Sequence, residues 1–169
     1  GEGVKKNLLT RKGAKPNELL CVSGNIGDAK IGLDMLLKKN NFSKGLLNNY
    51  FIKKFLNPPF RNDFARSISR YASSCIDISD GLIVDSSKLA LNSNCSLNIN
   101  SKAIPISMKA KKIIKTKVLS LYDLIGAGDD YELAFSLNKK NLKVIERIAN
   151  KKKVKISVIG KFSKGKRIL

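Results

Sequence analysis

The chain has 169 residues, 43% hydrophobic and 27% charged, which fits one ordinary globular domain with a core of normal size and excludes global disorder or a membrane-spanning segment of roughly 18 apolar residues. It contains no histidine, which excludes Ser-His-Asp and Cys-His catalysis and any His-based metal site, and its three cysteines (Cys21, Cys75, Cys95) form no CxxC, which excludes the common zinc patterns and a disulfide framework. The net charge of +20 comes from 27 Lys and only 6 Arg, scattered along the length and accompanied by 16 Asn and 18 Ile; these residues have A/T-rich codons, so a solvated basic surface explains the charge better than a nucleic-acid stripe.

In chain order, residues 18–23 read as a buried strand ended by Gly24, and residues 27–38 as a helix. A second helix spans 42–55, Pro58-Pro59 break it, and a helical pattern resumes over 60–71. Residues 74–79 read as a strand, Asp80-Gly81 as a turn, and 82–91 as a helix. The alternation of Ser96 to Asn100 predicts a strand, and a Lys-rich helix from Ser107 to about Lys115 follows the break at Ile104-Pro105. Residues 131–136 predict a strand, 141–149 an amphipathic helix, and 154–159 a strand ended by Gly160. Alternating strands and helices place the fold in the α/β or α+β class, in one domain over residues 1–169. No h-region opens the chain, so no signal peptide is expected; with no starting Met, it reads as part of a longer, cytoplasmic protein without a membrane or nucleic-acid partner.

The acids are few, and six of the thirteen fall in two short windows. The first is Ile76-Asp-Ile-Ser-Asp-Gly-Leu82, with Asp85 just beyond. Strand periodicity puts Asp77 and Ser79 on one face, with Asp80 at the strand end. Asp80 alone reads equally well as a helix N-cap, but that does not account for Asp77, an acid among apolar neighbours, which is costly unless paired or bound to a cation. Two carboxylates and a hydroxyl at such a junction suit Mg²⁺, and helix amides beside them favour an anion. The second window is Gly128-Asp-Asp-Tyr-Glu-Leu133, read either as an Asx turn or as a carboxylate pair facing the first across one sheet edge. The Gly-rich turn of Val22 to Asp28 lacks the full phosphate-loop patterns, so tight packing explains it better. Arg11 is a candidate for a bidentate phosphate contact.

Together with Leu9-Thr-Arg-Lys-Gly-Ala-Lys-Pro16, Pro58-Pro-Phe-Arg61 and Val158-Ile-Gly-Lys161, these windows resemble the C-terminal half of the thiamine-monophosphate kinases, in the superfamily of aminoimidazole ribonucleotide synthetase and selenophosphate synthetase. The resemblance covers nearly the whole chain. It implies a three-layer α/β/α domain around a mixed sheet of at least four strands, and transfer of the γ-phosphate of ATP to thiamine monophosphate with Mg²⁺ bridging the phosphates. By motif position, Asp77 and Asp80 resemble Mg²⁺ ligands, Ser79 and Arg11 resemble nucleotide contacts, and Asp129 resembles a contact to the thiamine phosphate; no side-chain nucleophile is implied. The family's N-terminal domain, with further Mg²⁺ ligands and the main homodimer contact, and its C-terminal tail, with an aromatic substrate contact, are expected to lie outside these residues, leaving this piece alone inactive. Ala127 stands where the family more often has Gly. Two alternatives remain at this point: a sister activity that uses ATP on another small substrate, and a basic nucleic-acid-binding module.

Overall fold

The computed structural model describes residues 8–39, 42 and 49–165. Five strands, β1 (Leu19–Ser23), β2 (Ala72–Asp77), β3 (Cys95–Ile99), β4 (Leu133–Leu137) and β5 (Ile156–Lys164), form one sheet in the order β2-β4-β1-β5-β3. The expectation of a mixed sheet is corrected: all four pairings are antiparallel. The physical reason lies in the threading. The registers make β1, β2 and β3 run one way and β4 and β5 the other, so the connections from β1 to β2, β2 to β3 and β4 to β5 join strands of like direction, while that from β3 to β4 joins opposed ones. Strands of like direction always have an opposed strand between them in the sheet, so no parallel pair forms among the described residues.

The alternation of side chains sends apolar residues to both faces, so both faces are covered by helices. On one face Leu20 and Val22 of β1, Ile76 of β2, Leu97 of β3, Ala134 of β4 and Phe162 of β5 pack against α1 (Asp28–Leu36), α2 (Asn49–Leu56), α4 (Leu82–Asn92), α5 (Met108–Lys115) and α6 (Leu121–Ile125). On the other face Cys21, Leu133, Phe135 and Leu137 meet α3 (Asn62–Ile68) and α7 (Leu142–Lys151), with Phe64 edge-on to Phe135 at 6.1 Å. The three-layer arrangement implied by the resemblance is therefore present. Among the described residues, no helix is long and apolar enough to cross a membrane.

The elements differ from the sequence reading in several places. The last strand does not stop at Gly160 but runs to Lys164, because Gly160 sits opposite Asn98 and Ile99 where a Cβ would lie 2.4 Å from the Asn98 carbonyl oxygen. The strand expected to start at Tyr131 starts at Leu133, since Tyr131 has φ +48, outside the extended region. Helix α6 was not expected, yet Ser120 and Asp123 close a capping box at its start. Of the helix expected over 42–55, residues 43–48 lie outside the described residues, and the described part is α2.

Candidate active site

Neighbouring strands β2 and β4 pair Asp77 with Leu133, so the loops that follow β2 and precede β4 leave the sheet side by side. Their backbones continue the pairing: Ile78 N–H donates to Glu132 O at 2.7 Å, Tyr131 N–H to Ile78 O at 2.9 Å, and Asp129 N–H to Ser79 O at 3.1 Å. The backbones thus join the two acidic windows into one structural unit. Gly128 makes the approach possible, because a Cβ there would lie 2.0 Å from the Ser79 carbonyl oxygen. We expect Gly128→Ala to separate the loops and lower stability by about 1–3 kcal/mol, the usual cost of overpacking; urea unfolding measures this, and an unchanged midpoint contradicts it.

Each acid of the unit has a distinct environment. Asp85, fully buried on α4, accepts the N–H groups of Ser79 (3.0 Å) and Asp80 (2.8 Å) and an ammonium proton from Lys88 (2.7 Å). It sets the shape of the loop by holding the amides of Ser79 and Asp80, which precede α4. Asp80 is exposed and ion-paired with Lys88; the Lys88 hydrogen bond and charge, with Arg11 adding a smaller effect, hold its carboxyl below the usual carboxylate range. Asp77 is also exposed and makes no hydrogen bond or ion pair among the described residues. The expectation that Asp77 and Ser79 share a strand face is corrected: β2 ends at Asp77, Ser79 belongs to the loop, and the end of the strand lets Asp77 reach solvent instead of the apolar layer.

In the second window, Asp129 is half-buried with φ +68, a conformation Asp tolerates, whereas the neighbouring φ of +48 at Tyr131 is unusual for an aromatic residue. Asp130 is buried and caps α1, accepting from Gly27 N–H at 2.7 Å and Ala29 N–H at 3.4 Å. The Gly-rich turn is therefore packed and capped from within, with Gly24 against the Glu132 carboxylate and Gly27 against Leu124. Glu132, 2% exposed, accepts from Ser23 Oγ and makes a bidentate pair with Arg61 at 2.7 Å on both bonds.

Burial pushes Asp130 up to about 7; the charges of Asp28 and Glu132 act the same way, against the two N–H donors. The folded state therefore holds this proton more tightly than the unfolded chain, where the group titrates near 3.8. The resulting stability is fully present below about pH 4 and is lost as pH rises through about 7. The stability of the wild type minus that of Asp130→Asn, from urea unfolding, should decline over this window; a constant or rising difference contradicts the assignment.

Arg11 and Asp77 line one groove of about 820 Å³ with Lys12, Phe60, Arg61 and Tyr131. Arg11 is placed there because its segment binds along the β2 edge: Cys75 N–H donates to Thr10 O at 2.9 Å, and Ser93 Oγ accepts from Gly13 and Ala14. The structure thus brings Arg11 to Asp77, and within electrostatic reach of Asp80, while Ser79, Asp80 and Asp129 form the adjoining loop unit and not the groove wall. Among the described residues, no three acids or cysteines gather as a ready metal cluster. Asp85 and the Arg61–Glu132 pair were missed as site residues in the sequence: Glu132 and Arg61 lie on distant segments, and Asp85 holds nearby backbone N–H groups that leave no residue pattern, although its position in a window of clustered acids was a signal.

Residues 32–168 match the family described as AIR synthase related protein, C-terminal domain. The chain belongs to that family. A thiamine-monophosphate kinase of Buchnera aphidicola subsp. Schizaphis graminum is 38% identical over 155 residues, covering 92% of this chain and 48% of the relative. The solved structure of AaThiL complexed with AMPPCP and TMP superposes with a TM-score of 0.81 at 27% identity, covering 95% of this chain and 50% of that one. The crystal structure of thiamine-monophosphate kinase from Stenotrophomonas maltophilia K279a superposes with a TM-score of 0.87 at 22% identity, covering 98% and 54%, and at that identity it supports the AIR synthase related fold alone. The chain spans about half the length of the curated relatives it matches.

Proposed function

We infer that the protein to which this chain belongs transfers the γ-phosphate of ATP to thiamine monophosphate, giving thiamine diphosphate and ADP, and that this chain supplies the C-terminal part of the site. The observation that carries the reading is the backbone union of residues 77–80 with 128–132 beside a groove that holds Arg11. Curated relatives named thiamine-monophosphate kinase and the AaThiL complex with AMPPCP and TMP support it.

The donor set fits Mg²⁺. This ion takes oxygen ligands and is usually held by one or two carboxylates with waters and phosphate oxygens, so a pair of acids suffices. Asp77, exposed and without a hydrogen-bond partner among the described residues, and Asp80, at the loop apex, would hold it. When bound, Mg²⁺ supplies neutralisation of the phosphate charge. Arg11 offers a planar fork of donors to phosphate oxygens, and Ser79 a hydroxyl beside the metal ligands. Asp129, on the facing loop, is the candidate contact to the phosphorylated acceptor. The chemistry asks for positioning and charge neutralisation, which these groups provide without a His or Cys nucleophile. The remaining Mg²⁺ ligands, a homodimer contact and an aromatic substrate contact belong, in this proposal, to segments outside this chain, and the chain by itself binds both reactants weakly.

Backbone amide NMR of the 169-residue chain titrated with Mg²⁺ and a non-hydrolysable ATP analogue tests the assignment. Shifts should concentrate at Arg11, residues 77–81 and residues 128–131. Changes confined to other segments would sink it.

A further inference from the structure

Lys88 stands between two carboxylates of unlike character. One turn into α4 from Asp85, it leans toward the helix N-terminus, as helical side chains do, and its ammonium reaches Asp80 eight positions earlier in sequence. The Asp85 side chain is 1% exposed and its other oxygen is held by two backbone N–H groups, so this contact is built in. The Asp80 side chain is 62% exposed, and no other described hydrogen bond holds its carboxylate. Lys88 itself is 30% exposed at its side chain, so it has room to move.

We propose that Lys88 is a displaceable counter-ion for Asp80: it neutralises that carboxylate while no divalent cation is present and withdraws onto Asp85 when a divalent cation takes the Asp80 oxygen. The inference rests on the assignment of Asp77 and Asp80 as metal ligands. Its logic is electrostatic. The Lys88 ammonium neutralises the Asp80 carboxylate and so competes with a metal for its oxygens. Withdrawal is easy because Asp85 keeps Lys88 paired, so no charge is stranded. Lys88 thereby sets the concentration at which the metal site fills.

The test is a titration of the full-length protein that contains this chain with Mn²⁺ alone, followed by electron paramagnetic resonance of the free ion, for wild type, Lys88→Met, Lys88→Arg and Asp77→Asn. An exposed ion pair of ordinary strength corresponds to about a two- to fivefold effect. Lys88→Met should bind Mn²⁺ about that much more tightly, Lys88→Arg should resemble wild type, and Asp77→Asn should lose saturable binding. Structural damage weakens binding, so a gain in affinity is a signature it does not produce. Binding that is lost in Asp77→Asn but unchanged or weaker in Lys88→Met overturns the counter-ion and leaves the metal ligands standing. Binding insensitive to Asp77→Asn, or absent from all four proteins, overturns the metal assignment and this inference with it. If Lys88→Met does not fold, the Lys88 side-chain methylene signals of the wild type decide by NMR: they should shift on Mg²⁺ addition together with Asp77, and a static Lys88 beside a shifting Asp77 refutes the exchange.

Discussion

Asp77→Asn is expected to lower thiamine diphosphate formation by about 100-fold or more in the enzyme that contains this chain, while the melting temperature stays within about 2 °C. The first figure follows the cost of deleting one group that stabilises charge during the reaction, on the order of 10²–10³ in rate. The second follows from the position of the side chain. Asp77 is exposed at the end of β2 and makes no hydrogen bond or ion pair among the described residues, so its charge contributes to binding and hardly to the fold. Asparagine keeps the size and loses the charge that a cation needs. Kinase rate at saturating Mg²⁺ beside a thermal melt measures both, and near wild-type turnover would sink the metal assignment.

Arg61→Ala should have the largest effect on stability. Glu132 is 2% exposed, and Arg61 meets it with two bonds of 2.7 Å. Removing one partner of such a buried pair leaves an uncompensated charge and costs about 3–5 kcal/mol. Ser23 Oγ remains as a donor to Glu132 and limits the loss without replacing the cation. The pair also joins the segment after Pro59 to the one that carries Asp129 and Tyr131, so the groove should loosen as well. A double-mutant cycle with Glu132→Gln separates the terms: the double variant should lose much less than the two single losses combined, because glutamine carries no charge to strand. Urea unfolding at neutral pH measures all four proteins. A loss below about 1 kcal/mol for Arg61→Ala would place the pair among ordinary surface contacts.

What the sequence revealed and what it hid divide along local and distant interactions. Strand β2 and helix α4 were readable because their apolar residues repeat at the right periods and Asp80-Gly81 marks the turn between them. Helix α6 was not read from the sequence: Ser120 to Asp123 is a capping-box pattern, but the helix is only five residues long and shows little periodicity. Gly160 misled because a glycine usually punctuates; here it lets β3 and β5 approach closely. The direction of neighbouring strands was hidden altogether, as it depends on which strands are interleaved and not on any one segment. The motif residues Asp77, Ser79, Asp80 and Asp129, which make up the proposed site, stood out in the sequence as a set, and the fold joins their two segments. The jobs of Asp130, Glu132 and Asp85 were not: Asp130 caps a helix about a hundred positions away, Glu132 pairs with Arg61 from another layer, and Asp85 works on backbone N–H groups that carry no residue signature. An acid's sequence neighbours did not distinguish the exposed Asp77 from the buried Asp130; its partners in the fold did.

The most direct measurement is a product assay on the purified full-length protein that contains this chain, supplied with Mg²⁺, ATP and thiamine monophosphate. The account predicts thiamine diphosphate and ADP in equal amounts, with formation lowered about 100-fold or more by Asp77→Asn. ADP accumulating without thiamine diphosphate, or no turnover of thiamine monophosphate by a correctly folded enzyme, would contradict the central claim that these two loops form a phosphoryl-transfer site for it.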